Sequence, residues 1–189
     1  MFISSGFRRL LSLRLAVVMA ALVLSGCGSG EPSANEVFEE YYSALTGTMS
    51  ASVRRDDFQW RGGYEKFPYA DEAKWTDFSP YISSCGNKDS AKIYGMYDTY
   101  ELNLGYKNPQ EATDKVAAYW KSQGWEVKDI SNPKDPEKKQ ILTVTDTDVN
   151  LLYTASVRGE DIEATSQCIS EFYHEDSPAE DPVVYSAQK

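Results

Sequence analysis

The amino-acid sequence predicts an α+β domain in which two helices pack on one face of a mostly antiparallel sheet of four to five strands. Three observations support this prediction. Residues 33–53 and 108–124 repeat apolar side chains every three to four positions, as amphipathic helices do. Several short segments within residues 100–169 alternate apolar and polar residues, as half-buried strands do. Short turns connect most of these segments, which favours antiparallel pairing.

The first helix is predicted to begin at Ser33, because Ser33 and Glu36 have the spacing of a capping box. Apolar residues then recur at intervals of four positions and mark its buried face: Val37, Tyr41 and Leu45. We expect the helix to continue to about Val53.

The next segment, residues 56–85, is rich in aromatic residues but shows no sustained periodicity. We interpret it as an irregular stretch with one short strand. Its rings could bind a sugar or a partner protein, since tryptophan and tyrosine stack at low entropic cost. They could also cover one face of a thin sheet, and this interpretation is favoured because irregular segments need bulky anchors. The candidate binding residues are Trp60, Tyr64, Tyr69 and Trp75.

The second helix has the clearest end signals, with Asn108 as N-cap, Pro109 in the first turn and Gly124 at the C-terminal end. Strands are predicted around it at residues 100–106, 125–130, 141–145, 149–157 and 162–169. From Glu171 onward the chain is acidic and contains prolines, which predicts a disordered tail.

The first 26 residues predict a signal peptide, because a basic start precedes a short apolar run and small residues. The apolar run, residues 15–24, is too short for a membrane-spanning helix, which needs roughly 20 residues. It leads into Leu24-Ser25-Gly26-Cys27, which resembles the bacterial lipobox. The adjacent Arg8 and Arg9 loosely resemble a twin-arginine export signal, but an ordinary basic region is favoured.

This resemblance implies cleavage before Cys27, lipidation of its sulfur and attachment to the outer face of the bacterial cell membrane. A cleaved secretory peptide with an incidental cysteine is the alternative. The predicted organisation is a signal peptide at residues 1–26, a flexible tether at 27–32, one domain at 33–170 and the tail at 171–189.

The composition of the chain argues against nucleic acid as a partner. The formal net charge is −10, and removal of the three arginines of the signal peptide changes it to −13. Such a surface repels phosphate backbones and bare anionic lipid. Solubility in a salty envelope is the simplest explanation of this acidity.

Besides Cys27, the predicted mature chain contains two cysteines, Cys85 and Cys168. An exported protein folds where disulfides form and persist, so we predict that these two residues pair. Two separate thiols, or a metal-binding or nucleophilic role, are the alternatives. The disulfide is favoured because neither cysteine has a histidine or other metal-ligating residues beside it in the sequence.

Gly124-Trp125 after a helix, a run of short strands and Ser166-Gln167-Cys168 near the end resemble the small actinobacterial lipoproteins of the LppA type. The resemblance covers about half of the predicted mature chain. It implies an envelope lipoprotein with one disulfide, no settled activity and no catalytic residues to transfer.

Residue patterns for catalysis or metal binding are weak in this sequence. The single histidine, His174, lies in the predicted tail, where a solvated role is favoured over a catalytic one. Asp146, Asp148 and Asn150 match the first half of a calcium loop, but the glycine and glutamate that the loop requires later are absent, so a hairpin turn is favoured. Glu160 and Asp161 are adjacent, and adjacent side chains of a strand diverge.

The sequence therefore predicts a non-catalytic envelope lipoprotein that needs no cofactor or metal. Its expected partners are the membrane, through the lipid on Cys27, and an envelope protein, a peptide or a cell-wall component. A carboxylate-dependent enzyme such as a glycan hydrolase is the alternative, and a purely structural surface protein is a third interpretation. Two facing carboxylates in a deep cleft would favour the enzyme.

Overall fold

The computed structural model describes residues 31–61, 63, 65–68, 71, 81–86, 89–99 and 108–173. These ranges contain two helices and seven strands: α1 (Ala34–Ala51), β1 (Phe58–Trp60), β2 (Tyr81–Ser84), β3 (Ala91–Thr99), α2 (Pro109–Ser122), β4 (Lys128–Asp129), β5 (Lys138–Val144), β6 (Asn150–Ser156) and β7 (Gly159–Thr165). The α+β class and the antiparallel sheet are confirmed. The predicted number of strands was too low, since four to five were expected.

The seven strands form one sheet, in the order β1-β3-β7-β6-β5-β4. Strand β2 pairs with the first half of β3, on the same edge where β1 pairs with the end of β3. All pairings among the described strands are antiparallel. Tight turns join β5 to β6 and β6 to β7, as the sequence predicted.

Strand β3 pairs with β1 and β2 on one side and with β7 on the other, but the sequence analysis missed it. Its residues alternate between buried and half-buried along the whole strand. Gly95 interrupts the apolar face of this pattern, because the rings of Tyr41 and Tyr97 pack where a larger side chain would lie. The predicted strand at residues 100–106 lies outside the described residues.

Three predicted boundaries differ from the structure. Strand β4 contains only two residues of the predicted 125–130, because Trp125 and Val127 pack against the core instead of pairing. Strand β7 ends at Thr165, and Ile169 forms a single bridge to Ala91. The fold also extends beyond the predicted domain end, since Phe172 is buried in a short 3-10 turn.

Both helices cover the same face of the sheet. The Tyr41 hydroxyl of α1 lies 3.4 Å from the Tyr97 hydroxyl of β3 and 3.4 Å from the carbonyl oxygen of Ala164 in β7. Helix α2 packs over β5 and β6. The two helices meet where the Trp120 indole N–H donates to the Thr48 hydroxyl over 2.9 Å. The core therefore lies between one layer of helices and one face of the sheet.

The predicted capping box of α1 is confirmed. The backbone N–H of Glu36 donates to the Ser33 hydroxyl over 3.3 Å, and the backbone N–H of Ser33 donates to the Glu36 carboxylate over 2.8 Å. The Glu36 carboxylate accepts from the backbone N–H of Ser33 and also from the Ser33 hydroxyl over 2.8 Å, and these two hydrogen bonds lower the pKa of Glu36. Glu171 also accepts from the N–H of Ala34 over 2.6 Å, which ties the end of the described fold to the start of α1. Neither described helix is long and apolar enough to span a membrane.

One carboxylate is buried on the helix-covered side of the sheet. Glu160 is 1 % exposed and accepts three hydrogen bonds. The donors are the N–H groups of Val53 and Arg54, at 3.2 and 3.1 Å, and the hydroxyl of Tyr153, at 2.5 Å. Glu160 thereby fixes the chain that leaves α1 against the sheet.

We expect Glu160→Gln to lower the free energy of unfolding by about 2 to 3 kcal/mol, because one oxygen acceptor becomes an amide donor and leaves a buried N–H unpaired. Chemical denaturation measures this change. Glu163→Gln on the same strand is the matched control, and its side chain lies on the other face, so a change within about 0.5 kcal/mol is expected. Equal losses in both variants would contradict the structural role of Glu160.

Candidate functional site

The sheet face opposite the helices presents three rows of side chains across β3, β7, β6 and β5. The rows are Tyr94, Thr165, Asn150, Val144; Met96, Glu163, Leu152, Leu142; and Asp98, Asp161, Thr154, Gln140. These twelve residues are called the open face. All except Thr154 are at least partly exposed, and no described helix covers them. The open face is therefore a regular surface that the described helices leave accessible.

A depression of about 700 Å³ lies on the open face. It is lined by the third row, by the second row except Leu142, and by further residues that include Lys138, Ser156 and Arg158. The volume lies within the range of about 300 to 1,000 Å³ that is typical of ligand pockets. The depression is shallow, unlike an enclosed active-site cavity, because it lies on the surface of a single sheet.

Two carboxylates face each other in the third row. Asp98 of β3 and Asp161 of β7 are directly opposite, an arrangement that is unfavourable for two like charges. Arg61, which follows β1, compensates for this: its guanidinium contacts Asp161 closely and lies 3.6 Å from Asp98. The Gln59 side chain also donates to Asp98 over 3.1 Å. The two acids thus form a site that binds a cation, and Arg61 occupies it.

A third carboxylate, Glu163, lies in the middle of the second row. Its neighbours across the strands are Met96 and Leu152, so apolar side chains flank it on both sides. The nearby hydroxyl of Tyr94 has a raised pKa, because the ring is partly buried and because the Glu163 charge opposes ionisation. Glu163 forms no ion pair with any residue that the structure describes. Glu163 is therefore a carboxylate in an apolar row that has no cationic partner among the described residues.

The predicted disulfide is confirmed. Cys85 and Cys168 are bonded, with an S–S distance of 1.99 Å and a Cα–Cα distance of 6.2 Å. The bond joins the end of β2 to the segment after β7. The predicted lipidation site, Cys27, lies outside the described residues.

Of the four candidate binding aromatics, the structure describes only Trp60. Its ring packs 5.4 Å from the ring of Tyr97 and 5.1 Å from the ring of Tyr81, and it contacts the core while remaining partly exposed. This position agrees with the covering role. Tyr64, Tyr69 and Trp75 lie outside the described residues.

The remaining sequence candidates have structural explanations or lie outside the described chain. Asp148 has a φ of 60° and lies in a turn. In this turn the Thr145 hydroxyl oxygen accepts hydrogen bonds from the backbone N–H groups of Thr147 and Val149. The hairpin interpretation of the calcium-like pattern is therefore supported. In the part of the chain that the structure describes, no cluster of His, Cys, Asp and Glu is suited to a metal ion. His174 lies outside that part.

Sequence reasoning missed the open face because it depends on β3. The predicted divergence of Glu160 and Asp161 is confirmed, since Glu160 is buried under the helices and Asp161 belongs to the open face. An alternating pattern could have revealed β3. Its buried positions are small or apolar, and they alternate with the half-buried residues Lys92, Tyr94, Met96 and Asp98.

The fold is thus a small α+β domain with one layer of helices and one exposed sheet face. It is similar to a solved DUF4853 family protein from Actinomyces odontolyticus, with a TM-score of 0.52, 12% sequence identity, and coverage of 84% of this chain and 80% of that one. At this identity the similarity concerns the fold alone. No family model and no curated protein sequence matches the chain.

Proposed function

We propose that this chain is a lipid-anchored protein of the cell envelope that binds a partner on its open face without catalysing a reaction. The observation that carries this proposal is the accessible face itself, with its depression of about 700 Å³ and its mixture of apolar and charged side chains. Binding surfaces commonly combine these features. The lipobox at residues 24–27 and the resemblance to LppA-like lipoproteins support the proposed location on the outer face of the membrane.

The geometry of the depression favours binding over glycan hydrolysis. A hydrolase acid must reach the glycosidic oxygen of its substrate. Here the guanidinium of Arg61 lies against both Asp98 and Asp161, so these two acids are already engaged with a cation. Among the other acids that line the depression, Glu163 is flanked by Met96 and Leu152 and has no described carboxylate directly across from it.

The anchor is tested by Cys27→Ala. We expect this variant to remain unprocessed or to be released from membranes, because the acyl chains of the lipidated cysteine hold the mature protein there. Membrane fractionation and the size of the product measure the effect. Ser29→Ala is the control and should fractionate like the parent. A Cys27→Ala protein of mature size that still requires detergent for extraction would contradict the lipid anchor.

The binding face is tested by photocrosslinking in intact envelopes. A crosslinker at Leu142, on the open face, should form specific adducts, whereas one at Glu39, exposed on α1, should not. Adducts from Glu39 alone would place the interaction on the helices and refute the proposed face.

A further inference from the structure

We propose that the partner of the open face is a basic, amphipathic segment of another polypeptide. This inference rests on the proposed binding function and specifies the chemistry of the partner. Three features of the open face support it: the excess of acid, the apolar row beside that acid, and the way in which Arg61 already occupies part of the surface.

The centre of the open face is acidic. Asp98, Asp161 and Glu163 lie on adjacent strands, and Arg61 is the single cation that pairs with any of them among the described residues. The depression is lined by six acids, one of them the buried Glu160, and by three cations, Arg61, Lys138 and Arg158, so the net charge of its lining is negative. Such a surface attracts cationic groups and repels acidic ones, since complementary charge steers association and like charges oppose it.

The second row supplies an apolar surface next to these acids. Met96, Leu152 and Leu142 lie on three strands of this row, and each side chain is partly exposed. Burying the exposed part of such side chains is favourable by roughly 25 cal/mol per Å² of apolar area. A partner that carried charge alone would leave this surface in water, so an amphipathic partner fits better than a simple polycation.

Arg61 shows which chemistry the open face accepts. Its guanidinium binds Asp98 and Asp161, and one of its nitrogens lies 3.5 Å from the sulfur of Met96. One basic side chain of the protein itself thus contacts both the acids and the edge of the apolar row. A second basic side chain, supplied by the partner, could bind Glu163 in the same way.

The spacing of the rows suits an extended segment. Neighbouring rows are two residues apart along each strand, which is about 6.7 Å. Side chains at positions i and i+2 of an extended peptide have the same separation. A segment that lies along the strand direction can therefore place apolar and basic side chains over successive rows of the open face.

The test measures binding of a synthetic 12-residue peptide, in which two lysines alternate with two leucines, to the purified full chain in nonionic detergent. In the extended conformation this order places lysine and leucine alternately along each face of the peptide. Two comparison peptides replace either every lysine with glutamate or every leucine with serine. We expect the lysine–leucine peptide to bind at least tenfold tighter than either comparison peptide. Its affinity should fall as salt is raised, because exposed charges are screened.

Protein variants locate the binding. Glu163→Lys should weaken binding of the lysine–leucine peptide at least tenfold, whereas Glu39→Lys, with the same change in net charge on the opposite side of the fold, should change it less than threefold. Leu142→Ser should weaken binding several-fold and tests the apolar row. Thermal melts of all three variants establish that they are folded.

Equal weakening by Glu163→Lys and Glu39→Lys, or equal binding of all three peptides, would refute the proposed partner chemistry. Absence of peptide binding together with specific crosslinks from Leu142 would also refute it, while leaving the binding function in place. Absence of both would refute the two proposals together.

Discussion

Replacing Cys85 and Cys168 together with serine is expected to lower the free energy of unfolding by about 4 to 5 kcal/mol. The two residues are 83 positions apart, so the disulfide closes a long loop and removes much of the conformational freedom of the unfolded chain. This is a large share of the roughly 5 to 15 kcal/mol that stabilises a typical domain.

The structure also indicates which parts of the fold should be destabilised most when the disulfide is absent. The disulfide holds the segment after β7 next to Ala91, where Ile169 makes its bridge to the first residue of β3. The same segment leads to Glu171, which caps the first N–H of α1. Hydrogen exchange should therefore increase first at Ala34, Ala91 and Ile169 when the disulfide is absent.

Denaturant unfolding of the oxidised parent, the reduced parent and the double serine variant measures the effect. The reduced parent and the serine variant should coincide, because both lack the same covalent constraint. A difference below about 1 kcal/mol between oxidised parent and variant would contradict the expected contribution of the closed loop.

Those parts of the fold that depend on local signals could be predicted from the sequence. The capping box at Ser33 and Glu36 and the helix that begins after Asn108 both depend on residues within one turn of the chain. The turns around Asp148 and Gly159 likewise have local causes, because both residues adopt a positive φ. The disulfide was predictable because only two cysteines remain once Cys27 is assigned to lipidation.

One short strand was expected within residues 56–85, but β3 and the pairing of the first three strands could not be predicted in the same way, because the pairing partners are distant in sequence. Trp60 pairs with Tyr97, and Tyr97 pairs with Ile162. Gly95 is explained by the side chains of Tyr41 and Tyr97, and Tyr41 reaches it from the distant helix α1.

The candidate site was missed for the same reason. Arg61, Asp98 and Asp161 belong to three separate segments, and only the sheet register brings them together. None of the three belongs to a sequence motif. The sequence indicated aromatic candidates instead, because a tryptophan or tyrosine can be identified as a possible binding residue without knowledge of strand pairing. An arginine that lies between two aspartates cannot be identified in this way.

The second large effect is expected for Trp120→Ala, which should lower the free energy of unfolding by about 3 to 5 kcal/mol. Trp120 is fully buried, and its ring lies where α1, α2 and the sheet meet. Truncation leaves a cavity between the two helices and removes the hydrogen bond from the indole N–H to Thr48. The Thr48 hydroxyl still donates to the carbonyl oxygen of Ala44, so most of the loss should come from packing.

Two further variants separate packing from hydrogen bonding. Trp120→Phe keeps most of the apolar ring and removes the N–H, so we expect a loss of about 1 to 2 kcal/mol, clearly smaller than for alanine. Lys121→Ala, at the exposed neighbouring position of α2, should stay within about 0.5 kcal/mol of the parent. In denaturant unfolding, we expect Trp120→Ala to be the least stable of the three variants, Trp120→Phe to be intermediate and Lys121→Ala to be the most stable. If Trp120→Ala were as stable as Lys121→Ala, the contact between α1 and α2 would contribute little, and the sheet with its disulfide would have to hold the fold without it.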